Sequence, residues 1–238
     1  MKIALIGYGK MGKAIEEIAL QQGHEIVLKI NSDNKELLSS SSLQKADVAI
    51  EFSTPESAIE NIEYCLQAGI PLVCGTTGWT NALPQIQARC TALNGAMVYA
   101  SNFSIGVNLF FELNTKLAAL MANQPQYEVI LEEIHHTQKK DAPSGTALTL
   151  ATQILAYNKK KKQWVNDISD NPEDLEIISQ RNDPTPGTHS VKYASVVDDI
   201  EIIHTAHNRT GFAAGAVLAA TFIKEKKGIY TMKDVLGL

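Results

Sequence analysis

Short apolar runs alternate with amphipathic stretches through the first hundred residues of the chain. Residues 2–6 are an apolar run ending at Gly7, too short for a helix and flanked like a buried strand. Residues 11–22 follow with Ile15, Ile18 and Ala19 at helical spacing, and Gly23 is placed as a stop. Residues 25–30 read as a second strand. Strand, helix and strand at this spacing make a βαβ unit, whose crossover forces the strands parallel. Further strands are expected over 46–52, 71–74 and 96–100. Helices are expected over 54–67, with Pro55 in the first turn and Gly69 past the end, and over 80–92. Such regular alternation predicts a doubly wound α/β sheet.

The pattern then changes. A long helix is expected over 105–122, a strand over 127–135 and a helix over 145–157. Lys159, Lys160, Lys161 and Lys162 follow that helix, where cations complement its dipole. Residues 166–191, broken by Pro172, Pro184 and Pro186, read as loop. Residues 191–197 and 200–207 read as a hairpin around Asp198 and Asp199, so the second half is expected to be a separate α+β domain. A last helix over 211–226 carries Ala213, Ala214, Gly215, Ala216, Ala219 and Ala220, small enough to pack tightly on the first sheet.

Composition narrows the function classes. An apolar content of 45% over 238 residues excludes disorder, and a net charge of −5 argues against a nucleic-acid or acidic-membrane binder. No stretch of about 18 apolar residues occurs, so no membrane span is expected. Cys65, Cys74 and Cys90 make an odd count without CxxC spacing, which argues against a disulfide framework and for a reducing, cytoplasmic setting. Small molecules are the expected partners, with neither nucleic acid nor membrane among them.

Two segments carry chemistry. Gly7-Tyr8-Gly9-Lys10-Met11-Gly12 is a full GxGxxG between a predicted strand and a predicted helix, the context a dinucleotide site requires. Gly7 allows the tight turn, Gly9 the approach of a pyrophosphate, and Gly12 close helix–strand packing. At the end of the second strand, where an acid often holds the ribose, stands Asn31, with Lys29 and Lys35 nearby. NAD and NADP both remain open. Ser53-Thr54-Pro55, Gly75-Thr76-Thr77-Gly78 and Ala100-Ser101-Asn102-Phe103 follow strands on the same sheet edge, where the cofactor crevice of such a sheet lies.

The densest polar stretch runs from Glu132 to Ala147. Its adjacent His135 and His136 point in opposite directions if extended, so one of them is expected to face a given substrate atom. Histidine suits proton transfer near neutral pH. Lys139 or Lys140 could hold an anion or donate a proton, and Ser144-Gly145-Thr146 offers hydroxyls and free helix amides to a carboxylate. No third ligand at metal-site spacing accompanies the histidines, so no metal is expected. The combination suggests a reductase of a small carboxylated substrate.

With these residues in place, the sequence resembles the 4-hydroxy-tetrahydrodipicolinate reductase (dihydrodipicolinate reductase) family of lysine biosynthesis. The resemblance runs through residues 7–12, Glu51-Phe52-Ser53, 75–78, 101–104, 133–147 and Asp234-Val235-Leu236. The segment with His135, His136, Lys139 and Asp141-Ala142-Pro143-Ser144-Gly145-Thr146-Ala147 is the most specific to that family. It implies that His135 and Lys139 are catalytic, and that His136, Ser144, Gly145, Thr146 and Arg209 bind substrate. It implies cofactor binding by Gly7, Tyr8, Gly9, Lys10, Met11, Gly12, Asn31, Ser53, Gly75, Thr76, Thr77, Ala100, Ser101, Asn102 and Phe103. The reaction implied is NADH- or NADPH-dependent reduction of the cyclic dicarboxylate 4-hydroxy-tetrahydrodipicolinate. The fold implied is a Rossmann domain, 1–104 plus 209–238, completed by the C-terminal helix, and an inserted α+β mixed-sheet domain, 105–208, for substrate binding and homotetramer formation. Asn31, standing in place of the family's usual acid, leaves the coenzyme open.

Overall fold

The chain begins with β1 (Lys2–Ile6), turns at Gly7 into α1 (Lys10–Gln21), and returns through β2 (Glu25–Ile30), parallel to β1. A short α2 (Ser40–Leu43) precedes β3 (Val48–Glu51), α3 (Pro55–Ala68), β4 (Leu72–Cys74), α4 (Leu83–Ala92) and β5 (Ala96–Tyr99). Then come α5 (Ile105–Met121), β6 (Glu128–His135), α6 (Gly145–Tyr157), β7 (Gln163–Val165), β8 (Asp174–Arg181), β9 (Gly187–Ala194) and β10 (Asp199–Ala206). The chain closes with α7 (Thr210–Ile223), β11 (Gly228–Tyr230) and α8 (Met232–Leu236). This computed structural model describes all 238 residues, and they fall into two units, Met1–Ile105 with Thr210–Leu238, and Gly106–Arg209.

The first unit is a six-stranded sheet in the order β11-β5-β4-β3-β1-β2, every pair parallel. Successive residues of a strand point to opposite faces, and both faces here are buried. Ile3, Leu5, Val48, Ile50, Val73 and Val98 pack with α1 and α7. Ala4, Ile6, Ala49, Leu72, Cys74 and Met97 pack with Ile62, Cys65 and Ile86 of α3 and α4. The alanine-rich α7 lies close on this sheet as its sequence predicts: a Cβ at Gly215 would stand 1.8 Å from the Phe103 carbonyl oxygen.

The second unit is a five-stranded mixed sheet in the order β10-β9-β6-β8-β7. The central β6 runs parallel to β8 and antiparallel to β9, and α5 and α6 supply Phe110, Ala118, Leu150 and Ile154 to its core. The hairpin turn between β9 and β10 is tied by Ser195, whose hydroxyl accepts from the Val197 and Asp198 N–H groups at 3.1 Å.

Several boundaries depart from the sequence reading. Residues 166–191 are not loop: they hold β8 and the start of β9, preceded by β7. Leu175 and Ile177 alternate inward, and the three prolines sit beside the strands: Pro172 ahead of β8, Pro184 and Pro186 between β8 and β9. The last helix ends at Ile223 rather than 226, because the chain turns at Gly228 (φ +107°) to add β11 to the sheet edge. The first unit is thus completed by a strand and two helices, not by a helix alone. Residues 80–82 form a 3-10 turn ahead of α4, and the four-residue α2 is too short to show a period. No helix is long and apolar enough to cross a membrane.

Candidate active site

The glycine loop has the shape its spacing demands. Gly7 is at φ +92°, and a Cβ there would lie 2.0 Å from the Phe52 carbonyl oxygen. A Cβ at Gly12 would lie 2.5 Å from the Gly7 carbonyl oxygen, so α1 can approach β1 only with glycine in that place. Gly9 is the N-cap of α1, without a side-chain cap, and a Cβ there would meet no protein atom within 4 Å. An open approach to uncapped helix amides fits a pyrophosphate. Lys10 opens α1 on its exposed side, while Met11 packs half-buried against the core.

Tyr8 donates its hydroxyl to Glu16, which pairs with Lys29 at 2.5 Å. The hydrogen bond from Lys29 holds Glu16 below the usual carboxylate range. Lys35 pairs with Glu60 at 2.6 Å. Asn31 closes a turn at the end of β2: its Oδ1 accepts from Asp33 N–H at 2.9 Å, and its own N–H donates to Asn34 Oδ1 at 2.8 Å. Both lysines that flank the end of β2 therefore already face carboxylates.

The other loops are braced from beneath. Ser53 N–H donates to Thr76 Oγ1 at 2.8 Å and to Glu51 Oε1 at 3.1 Å, and the Ser53 hydroxyl also donates to Glu51. Glu51 is fully buried and further bonded by Asn61 Nδ2 at 3.3 Å and Cys74 Sγ at 3.2 Å. Burial first, and the Glu51 charge second, push the Cys74 thiol well up. Gly75 is pressed on the Phe52 ring, which a Cβ would meet at 2.2 Å. Thr77 and Ser101 are exposed, Ala100 and Asn102 half-buried, and Phe103 is buried against Phe52 with ring centroids 5.6 Å apart. Sequence reasoning missed Glu51 and Asn61 as the support of these loops, since no spacing rule flags a lone buried acid on a strand.

The second cluster is assembled by sheet register. In β6, Glu133 stands opposite Ser179 of β8 and His189 of β9, and His135 stands opposite Arg181. His135 Nδ1 lies 3.4 Å from Glu133 Oε2. Its ring packs edge-on against His189, with centroids 5.0 Å apart. Burial lowers the proton affinity of His135 and Glu133 pulls it back up, while Lys139 and Arg181 lower it. Lys139 Nζ is gripped by both Asp141 oxygens at 2.8 Å. Its backbone N–H donates to the His136 carbonyl at 3.1 Å, closing a turn that Thr137 braces against Asp183.

Ser144 caps α6 by accepting from Ala147 N–H at 3.2 Å. Its own N–H donates to both oxygens of Glu133 at 3.1 Å. A Cβ on Gly145, the first helical residue, would meet no atom within 4 Å, which leaves the helix start open to an anion. Thr146 follows half-buried. His136 is half-buried with an unpartnered Nδ1. Arg209 is exposed, directly ahead of α7.

Ser179, Arg181 and His189 were missed from the sequence because reading 166–191 as loop left no strand period to place them. His189 also supplies the third ligand type that spacing could not find: nitrogen and oxygen atoms of Glu133, His135 and His189 lie within 4.8 Å of one another. The Arg181 guanidinium, 3.1 Å from Glu133 Oε1, already serves as that carboxylate's cation.

Comparison with known proteins follows the same division. Residues 1–103 match a family model described as dihydrodipicolinate reductase, N-terminus, and residues 106–236 one described as dihydrodipicolinate reductase, C-terminus. A 4-hydroxy-tetrahydrodipicolinate reductase of Christiangramia forsetii is 51% identical over 239 aligned positions, covering 100% of this chain and 98% of that protein. The enzyme of the same description from Zymomonas mobilis is 38% identical over 251 positions, again 100% and 98% of the two chains. Among solved structures, a dipicolinate-bound dihydrodipicolinate reductase from Paenisporosarcina sp. TG-14 superposes with a TM-score of 0.77 at 25% identity, covering 97% of each chain.

Proposed function

The chain belongs to the dihydrodipicolinate reductase family, and from that premise we propose how its own residues carry the reaction. Its activity is the reduction of 4-hydroxy-tetrahydrodipicolinate to tetrahydrodipicolinate, with a dinucleotide as reductant, on the diaminopimelate route to lysine. Overall, one water leaves, and one hydride and one proton enter the ring. A reduced nicotinamide, when bound, supplies the hydride. The remaining work is positioning, carboxylate binding and proton management.

Residues 1–104 with 209–238 take the dinucleotide, NADH or NADPH, on Gly7, Tyr8, Gly9, Lys10, Met11 and Gly12. Ser53 also contacts the dinucleotide, and the loops at Gly75 to Thr77 and Ala100 to Phe103 line its nicotinamide end. Asn31 neither repels a 2′-phosphate nor attracts one, which supports use of both coenzymes. Residues 105–208 take the substrate. His135 exchanges the proton and Lys139 donates and holds. His136 and Arg209 contact substrate, and Ser144, Gly145 and Thr146 offer the α6 N-terminus to one carboxylate. The observation that carries this assignment is the convergence of His135, the Lys139–Asp141 pair and the open, Ser144-capped helix start around one buried carboxylate. A homotetramer accompanies the reading, supported by Ile200, Ile203, Val196 and Val197, which the β9–β10 hairpin leaves exposed. A cytoplasmic setting agrees with the free thiols of Cys65, Cys74 and Cys90.

The test is an absorbance assay with NADH, then NADPH, as substrate is formed in situ from pyruvate and aspartate semialdehyde by the preceding synthase. Oxidation of both coenzymes is expected. His135→Gln is expected to lower turnover more than about a hundredfold while NADH affinity stays within about twofold. Near-normal turnover in that variant would remove His135 from the proton step.

A further inference from the structure

The face of β6 that carries His135 also carries Val129, Leu131 and Glu133, and all four are buried. Two are the apolar residues such a face calls for; Glu133 is not. A carboxylate shut away from water persists only where its oxygens are bonded. Oε1 of Glu133 accepts from the Ser144 N–H at 3.1 Å, the Ser179 hydroxyl at 2.9 Å and Arg181 Nη2 at 3.1 Å. Oε2 accepts from the same Ser144 N–H at 3.1 Å and faces His135 Nδ1 at 3.4 Å and His189 Nε2 at 3.7 Å. The guanidinium of Arg181 reaches further, donating to the Asp141 carbonyl at 2.6 Å, on the residue that grips Lys139. One carboxylate and one guanidinium thus tie the lysine loop to the start of α6, and the same carboxylate faces the buried Nδ1 of His135, which has no hydrogen-bond partner of its own.

We propose that Glu133 and Arg181 are a positioning pair for this reaction: Glu133 holds the Nδ1 edge of His135 so that Nε2 exchanges the proton, and Arg181 holds the loop that carries Lys139. The inference rests on the reading of His135 as the proton-transfer residue. It assigns the His135 tautomer, with the proton on Nδ1 toward the carboxylate, as a second-tier acid does for a working imidazole. It also explains why an acid lies inside the sheet at all.

The charged and titratable groups facing His135 are Glu133 on its own strand, Lys139 and Asp141 in the next loop, Arg181 from β8 and His189 from β9. Of these only the two acids favour the protonated ring. Glu133→Gln removes the nearer acid and leaves Lys139 and Arg181 opposing it, so the acid form of His135 is lost at lower pH. The variant is expected to shift the high-pH limb of the kcat profile downward by at least about half a pH unit. Turnover should fall at least about tenfold, with KM for substrate within about threefold. Arg181→Lys keeps the charge but not the fork, and should preserve folding and His135 chemistry while raising KM.

Ring-nitrogen NMR of the histidines reads the tautomer without any turnover. Wild type is expected to show His135 with Nδ1 protonated at neutral pH, and Glu133→Gln to lose that preference. An unchanged tautomer and pH limb in a folded Glu133→Gln protein overturns the pair, whether or not His135→Gln lowers turnover. Should Glu133→Gln fail to fold, the wild-type tautomer decides alone, and a proton on Nε2 overturns the proposal. Stoichiometric shifts of the His135 and His189 ring signals by micromolar Zn2+ would also overturn it, making the cluster a metal site instead.

Discussion

At the scale of single residues, the buried imidazoles decide how the fold answers acid. His189 is pushed down to about 3, by burial first and by its neighbour His135 second. Unfolded, it titrates near 6.5. Between those values the unfolded chain binds a proton the folded chain refuses, so stability is lost as pH falls from about 6.5 towards 3. His135 is lowered too and adds in the same direction. Burial works to raise Glu133, but its bonds from Ser144, Ser179 and Arg181 hold it below the usual carboxylate range. Its contribution is present above the unfolded value near 4.3 and is lost below that, as pH falls through the folded value. The urea midpoint should therefore drop between pH 7 and 5, before any carboxylate titrates, and the drop should be shallower in His189→Asn. A midpoint flat over that range would contradict the burial argument. His135 and Lys139 were legible in the sequence because they sit in one contiguous motif. His189 and Arg181 reach the same cluster only through strand register, which a linear reading does not contain.

Among the elements, two glycines at helices make opposite predictions. In α7, a methyl on Gly215 would overlap the Phe103 carbonyl, so Gly215→Ala should lower stability by about 2 kcal/mol or more and depress the melting temperature by several degrees. At the start of α6, a methyl on Gly145 meets nothing. Gly145→Ala should melt within about a degree of wild type, yet raise KM for substrate about tenfold by filling the place proposed above for a carboxylate. Equal melting shifts in the two variants would refute the distinction. The elements themselves were readable where period and punctuation agreed: β2 and α6 fall where the pattern puts them. They were not where prolines flank a strand, as around β8, or where a three-residue strand stands outside the regular alternation that made the equally short β4 readable, as β7 and β11 do. Hydrophobic periodicity needs about four to eight residues of strand to declare itself.

For the whole molecule, the alternation of strands and helices in the first hundred residues was enough to place a parallel doubly wound sheet, and the hairpin enough to place a second, α+β unit; that its sheet is mixed was implied only by the family resemblance, because the parallel partner β8 lies in the stretch read as loop. What the alternation could not show is that the first sheet is finished by the last residues of the chain: β11 pairs with β5 through Gly228, Ile229 and Tyr230. That detail sets an order of events during synthesis. A ribosome releases residues 106–209 as a complete unit while the sheet begun by Met1 still lacks an edge strand and the α7 face of its core. The enclosed unit is therefore free to fold first, and residues 1–105 must wait for residues 210–238. Limited proteolysis of nascent chains stalled with residue 209 just emerged should find the inner unit already protected and the N-terminal hundred residues still cut. The glycine loop at residues 7–12 acquires its finished surroundings only once α7 and β11, some two hundred residues further along, have been made.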